Sequence, residues 1–336
     1  MSIQSRIRGP VSAAVAFAAV IAPVVVSVVV SSYAGQAAAQ DYPVKPVRFI
    51  VSLAAGTSSD TVARILATKL AEDLRQQFII DNRPGAGGSV GGEMASRAPA
   101  DGYTLFFAAS GTTSISPNMM KLSYDITRDL APVSLVGSSP FVMLTHPSLP
   151  VRTVKDFIAL AKAKPGRINY GSSGQGATSH LAWELLRVDT GINIVHVPYK
   201  GAAALVALLS GEVEASIFGS AAAMPYIERK QLRPMAVTSA RRIPLLPDVP
   251  AVAETVPGFE VSTSYALMTT AGSPASAIAR LYKATVAAAA DPTVKSRFAA
   301  AGVDASARPP EELMANIKTE TAKWARVVKA TGVRVE

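Results

Sequence analysis

The run Val47-Arg48-Phe49-Ile50-Val51-Ser52-Leu53 leads into Gly56-Thr57-Ser58-Ser59-Asp60 and then into Val62, Ile65, Leu66, Leu70 and Leu74. Its first seven residues are mostly β-branched or aromatic and too few for a helix, which marks a buried strand. The five apolar positions that follow recur at spacings of three and four, so they share one face of a helix. Strand, short turn and helix make one unit, and the unit repeats. A strand at Phe78-Ile79-Ile80 runs into the glycine turn Asn82-Arg83-Pro84-Gly85-Ala86-Gly87-Gly88, whose glycines permit a tight backbone path. Further strands are predicted at 104–107, 141–144, 168–170 and 192–197, with helices over 154–163 and 178–188. The pattern implies α/β layers with largely parallel sheets. Beyond about Thr263 it becomes mainly helical, over 274–290, 291–301 and 309–331, as if the chain returned to cover its first domain. The domains are therefore read as 40–141 with 263–336 for the first and 142–262 for the second.

The first forty residues differ in kind. Arg6 and Arg8 precede an apolar run over 11–30 that only Ser12, Pro23 and Ser27 interrupt, and Ala37-Ala38-Ala39 follows. A basic start, an apolar middle and small residues at the end predict a signal peptide over 1–39. The alternative is an uncleaved anchor, because the run is near the length of a membrane span. Cleavage after Ala39 removes two arginines and takes the net charge of the 336-residue chain from +9 to +7. The mature protein is then expected to be soluble and exported. It has no cysteine, which excludes disulfide frameworks, thiol catalysis and Cys-ligated metals. His146, His180 and His196 are its three histidines, too few for a His-rich metal site. With no basic stripe and no nucleic-acid motif, the residual positive charge is read as a mild field that favours anionic ligands, and nucleic acid is not an expected partner.

Catalytic templates fail on inspection. Gln175 stands where G-x-S-x-G needs its closing glycine after Gly171, Val90 stands where G-x-G-x-x-G needs its third, and no phosphate-loop motif occurs. His180 and Glu184 are four apart on a predicted helix, as a metal pair would be, but a lone pair at this spacing is read as packing or capping. No metal or cofactor is expected. What recurs is a loop rich in glycine and small hydroxyls between a strand and a helix, at 56–59, 110–113 and 172–179, while Tyr199-Lys200-Gly201 adds a cation. At such points open backbone N–H groups and the positive end of a helix dipole face one crevice, which suits a carboxylate. Any one loop is explained as well by simple helix capping. Repetition in both predicted domains points instead to one cleft at the C-terminal ends of the strands. Arg83 is read as an ion-paired anchor of the glycine turn. Lys200 is either an attractor of the anion or a solvated helix-start residue.

The residues also carry a family resemblance. Tyr42-Pro-Val-Lys-Pro-Val-Arg-Phe-Ile-Val-Ser52, Asp60-Thr-Val-Ala-Arg64, Asp81-Asn-Arg-Pro-Gly-Ala-Gly-Gly88 and Ala100-Asp-Gly-Tyr-Thr-Leu105 resemble the Bug-type substrate-binding proteins of tripartite tricarboxylate transporters. The likeness continues through Asn169-Tyr-Gly-Ser-Ser-Gly174, Ser179-His-Leu-Ala-Trp-Glu184, His196-Val-Pro-Tyr-Lys-Gly201 and Leu246-Pro-Asp-Val-Pro250. It implies a two-domain α/β Venus flytrap, the periplasmic-binding-protein fold, with its ligand cleft between the domains. Such a protein, expected here to be a monomer, closes around a small carboxylate and hands it to integral membrane subunits of the transporter. Carried over by position, the ligand-binding residues implied are Ala54, Gly56, Thr57, Ser58, Ser59, Ser110, Gly111 and Thr112 from the first domain. The second domain contributes Ser172, Ser173, Gln175, Ala177, Thr178 and Tyr199, with Lys200 and Gly219 as further candidates. Where many members place an aspartate after the strand ending at Phe218, this chain has Gly219-Ser220, so the ligand is expected to lack an essential ammonium group. The competing readings are a ligand-sensing subunit for a receptor kinase and an exported hydrolase using Ser173 or Ser110.

Overall fold

The computed structural model describes residues 42–334, so the signal peptide read over 1–39 lies outside the described residues. Strand β1 (Val47–Val51) is almost wholly buried, and helix α1 (Ser58–Leu74) turns Val62, Leu66 and Leu70 inward as the spacing requires. Strand β2 (Phe78–Asn82), helix α2 (Ser89–Ser96) and strand β3 (Thr104–Ala109) follow, and β1 is parallel to both β2 and β3. After the long strand β4 (Leu130–Thr145) comes a second series: α3 (Val154–Ala163), β5 (Asn169–Ser172), α4 (Thr178–Thr190), β6 (Val195–Pro198), α5 (Ala203–Leu209), β7 (Ala215–Gly219), α6 (Ser220–Glu228) and β8 (Arg233–Val237). Here β5 is parallel to β6 and to β7. Helix α3 opens with a capping box in which Thr153 and Asp156 satisfy each other's backbone N–H. The chain ends with β9 (Ser262–Thr270), α7 (Ala275–Ala290), α8 (Pro292–Ala300), β10 (Asp304–Arg308) and α9 (Pro310–Thr331).

The expectation of largely parallel sheets holds at the two flanks and fails at the centre. Strand order is β2-β1-β3-β9-β4-β7-β5-β6, with β8 and β10 also on β4. Strand β9 is antiparallel to β3 and β4, and β4 is antiparallel to β7, β8 and β10. Strand β9 and the first part of β4 escaped the periodicity reading for physical reasons, whereas the strand expected at 141–144 is the second part of β4. The first part of β4 contains Pro132, Gly137 and Pro140, residues that normally argue against a strand interior. It keeps its place through register shifts at Pro132/Ser134 and Leu135/Gly137. Strand β9 is rich in hydroxyls, but the buried Thr269 and Thr270 donate to the carbonyls of Thr104 and Ala95, each at 2.9 Å. The region after Thr263 is thus less purely helical than expected, holding most of β9 and all of β10.

Strand β4 pairs with β9 as far as Pro140 and with β7 from Phe141 onward. The chain therefore passes from one series of units to the other along β4 and returns at Val261 and Ser262. Thr238 clips this point: wholly buried, it accepts from the Phe141 N–H at 3.0 Å and donates to the Val261 carbonyl at 2.6 Å. Helix α9 covers more than the first series, contrary to expectation. Leu313 and Ile317 pack with Ile50 and Phe106, while Trp324 and Val327 join the core that holds Trp183 and Leu186 of α4. A helix of 22 residues spans about 33 Å, long enough to reach both cores, and Arg326 meets Asp189 of α4 at 3.0 Å.

Candidate functional site

The loop between β1 and α1 is shaped by one buried carboxylate. Asp60, at the start of α1 and 4% exposed, accepts from the Gly56 N–H at 2.9 Å and from the Asn82 amide at 3.0 Å, and pairs with Arg64 at 2.9 Å. Burial opposes its ionisation, yet the Arg64 guanidinium and the Gly56 and Asn82 donors hold its pKa below the usual carboxylate value. Thr57 caps α1 and donates to the Ala54 carbonyl at 2.8 Å. The glycine turn before α2 packs against the loop after β3, where Thr112 donates to the Gly87 carbonyl at 3.0 Å. A Cβ on Gly88, whose φ is +91°, would lie 2.3 Å from the Thr112 hydroxyl oxygen, so only glycine permits this approach. Arg83 is the anchor the sequence suggested, paired with Asp81 at 2.7 Å, and Asp81 also holds Arg48.

The loop between β5 and α4 is held by a different kind of layer. The Ser173 N–H donates to the Ser179 hydroxyl at 3.0 Å, and the two hydroxyls are 2.8 Å apart. The Gly176 N–H donates to His180 Nδ1 at 3.0 Å, which leaves the histidine proton on Nε2. His180 stacks on His196 with centroids 3.8 Å apart, and His196 Nε2 meets the buried Ser172 hydroxyl at 2.7 Å. Behind them Glu184, 1% exposed, accepts from the Tyr170 hydroxyl at 2.6 Å and from Arg187 at 2.8 Å. Burial, helped by His196, pushes the His180 pKa down to about 4, and burial lowers His196 as well. His180 and Glu184 are thus packing residues of a hydrogen-bonded interior, in line with the bland reading of their spacing. Ala177 supplies no side-chain cap to α4, so the first-turn N–H groups of this helix stay open.

These two loops border one cleft of about 580 Å³. Of the residues singled out from sequence, Thr57, Ser58, Ser59, Gly111, Thr112, Ser173, Gln175, Ala177, Thr178 and Gly219 line it. Ala54, Gly56, Ser110, Ser172, Tyr199 and Lys200 are absent from the lining. Ser110 is buried, with its hydroxyl accepting from the Ser264 N–H of β9 at 3.3 Å. Ser172 is turned to His196, Tyr199 donates to Glu212 at 2.8 Å, and Lys200 is exposed. Sequence reasoning missed the floor, which Ser139 and Phe141 of β4 and Thr263 and Tyr265 of β9 provide, and the apolar wall of Ile115, Met119 and Met120. Ser139, Thr263 and Tyr265 were hidden with β9 and the first part of β4, while Phe141 stands in an expected strand that gave no sign of facing the cleft. The wall follows an unusual wide helical turn, Gly111–Ile115, that periodicity does not signal. Among the described residues, no lysine, arginine, histidine or carboxylate lines the cleft, and burial pushes the Tyr265 hydroxyl up to about 12. The site therefore offers hydroxyls, backbone N–H groups and apolar surface, without a formal charge.

Over residues 62–333 the chain matches the model of the tripartite tricarboxylate transporter family receptor. It belongs to that family. The receptor is 34% identical over 307 residues to Protein BugT of Bordetella pertussis, an alignment covering 90% of this chain and 94% of BugT. Among solved structures, an R. palustris protein with adipate is 32% identical, with a TM-score of 0.74 and coverage of 87% of this chain and 99% of that one. MatC from Rhodopseudomonas palustris with bound malate is 28% identical, with a TM-score of 0.70 and coverage of 85% and 100%. The receptor accordingly has the two-domain α/β fold of periplasmic binding proteins.

Proposed function

We propose that this receptor captures a small carboxylate in the cleft, closes around it in the periplasm, and delivers it to the integral membrane subunits of a tripartite tricarboxylate-type transporter. The observation that carries the reading is the uncapped start of α4 beside the Ser173 and Ser179 hydroxyls, in a cleft that no charged side chain lines among the described residues. A carboxylate satisfies such donors, whereas an ammonium group finds no acid to meet it. The adipate and malate bound by the two relatives support the same ligand class. The moving bodies in this proposal are residues 142–262 and residues 40–141 with 263–336, hinged where β4 and the return at Val261 pass the Thr238 clip. Closure is stabilised by the ligand's higher affinity for the closed form.

A non-catalytic role agrees with the fate of the serines. Ser172 and His196 make a serine–histidine pair, but Ser172 is 0% exposed and out of reach of a substrate. Ser173 has a serine for its partner, and Ser110 bonds to backbone. Calorimetric titration with small dicarboxylates and with amino acids tests the reading. Heats of binding are expected for the dicarboxylates; tight binding of an amino acid with no response to any dicarboxylate would overturn it.

A further inference from the structure

Two glycines of the cleft have no conformational reason to be glycine. Among the described glycines most adopt positive φ, where a side chain is strained, and Gly91, Gly92, Gly137 and Gly171 have neighbours that a Cβ would crowd. Gly111 and Gly219 have neither: φ is outside the left-handed region at both, and a Cβ would meet nothing within 4 Å. Both line the cleft. Their positions are complementary. Gly111 follows β3 and Gly219 ends β7, the strands on either side of the β9–β4 pair that forms the floor. The register runs Ala109↔Tyr265 on one side and Phe141↔Gly219 on the other. Open space at both flanks of one floor is space within the cleft.

From this we infer that Gly111 and Gly219 are specificity-determining residues: by withholding a side chain they set the length and girth of the carboxylate that the cleft accepts. The inference rests on the reading of the cleft as a carboxylate site. Neither glycine is expected to serve the backbone, since in a conformation open to alanine glycine is the less stable choice. Each methyl added at these positions occupies volume that the ligand body would otherwise fill, and one methylene in such a pocket changes affinity by about tenfold or more.

The experiment uses Gly111→Ala, Gly219→Ala and Gly219→Val, with thermal melting and calorimetric titration against straight-chain dicarboxylates of three to eight carbons. Melting temperatures are expected to equal or exceed that of the unaltered receptor. The preferred chain length should shift shorter, with the longest ligand bound by the unaltered receptor losing about tenfold in affinity and the shortest changing less than about threefold. The valine variant should shift it further than the alanine. An unchanged length profile in all three variants overturns the inference while leaving the carboxylate reading intact, and so does a lowered melting temperature, which would show that the backbone needs these glycines. If the unaltered receptor binds no member of the series, it is the underlying reading that fails, and the inference falls with it.

Discussion

The loops at the heads of α1 and α4 present the same kind of surface to the cleft, small hydroxyls at a helix start, but they are held from behind by opposite means. The α1 loop hangs on Asp60, whose partner Arg64 is half exposed, so its anchor is an ion pair at the edge of solvent. The α4 loop hangs on His180, whose ring is buried, neutral and stacked on His196, with Tyr170 packed beside both rings. An exposed ion pair is worth little in isolation and is screened by salt. A buried network is worth more only while every member is satisfied, and it fails as a unit when one is lost. The two walls of the cleft should therefore respond differently to substitution and to pH.

The largest effect is expected at the back of the α4 loop. Glu184→Leu removes the acceptor shared by the Tyr170 hydroxyl and Arg187, and should cost about 3 kcal/mol in chemical denaturation, with a matching loss of ligand affinity as the loop loosens. Asp60→Ala should cost less, about 1–2 kcal/mol, because water can solvate the released Arg64; the Gly56 N–H and the Asn82 amide bear most of the penalty. A result in which Asp60→Ala costs more than Glu184→Leu would reverse the comparison.

The sharpest discriminator is the pH slope. His180 has its folded pKa depressed to about 4, so between that value and its unfolded value the unfolded chain binds the extra proton. Stability is then present above the unfolded pKa and lost as pH falls toward 4, by roughly 1–3 kcal/mol. In His180→Asn the amide oxygen can still accept the Gly176 N–H but does not titrate. Its stability should change less between pH 6.5 and 4.5 than that of the unaltered receptor, measured by denaturant midpoint at each pH. Equal slopes for the two proteins would show that the acid sensitivity arises elsewhere.

Much of the site was readable before the fold was known, and the division follows a physical line. Thr57 to Ser59 and Ser173 to Thr178 declared themselves because a strand, a glycine–hydroxyl turn and a helix start are local events, specified by residues within a few positions of one another. Ser139, Thr263 and Tyr265 did not, since their stretches of strand break the local rules, and Phe141 stands in an expected strand whose facing only packing decided. Proline and glycine stand in β4, and hydroxyls fill β9; both are stable only because neighbouring strands and carbonyls satisfy them. Tyr199 and Lys200 sit beside the right loop in sequence, yet which way a side chain faces is settled by packing, and Tyr199 is engaged with Glu212.

Periodicity and turn chemistry were enough to establish an α/β chain, its repeated units and the two loops that border the cleft, because each depends on short-range backbone preference and on one apolar face per element. The antiparallel centre, the β4 strand shared by both series, the reach of α9 across two cores and the charge-free floor with its two open glycines were chosen by tertiary structure. They depend on contacts between residues about a hundred positions apart or more, such as Ser139 with Thr263 and Phe141 with Thr238, and no local pattern encodes which distant strand will supply the missing hydrogen bonds.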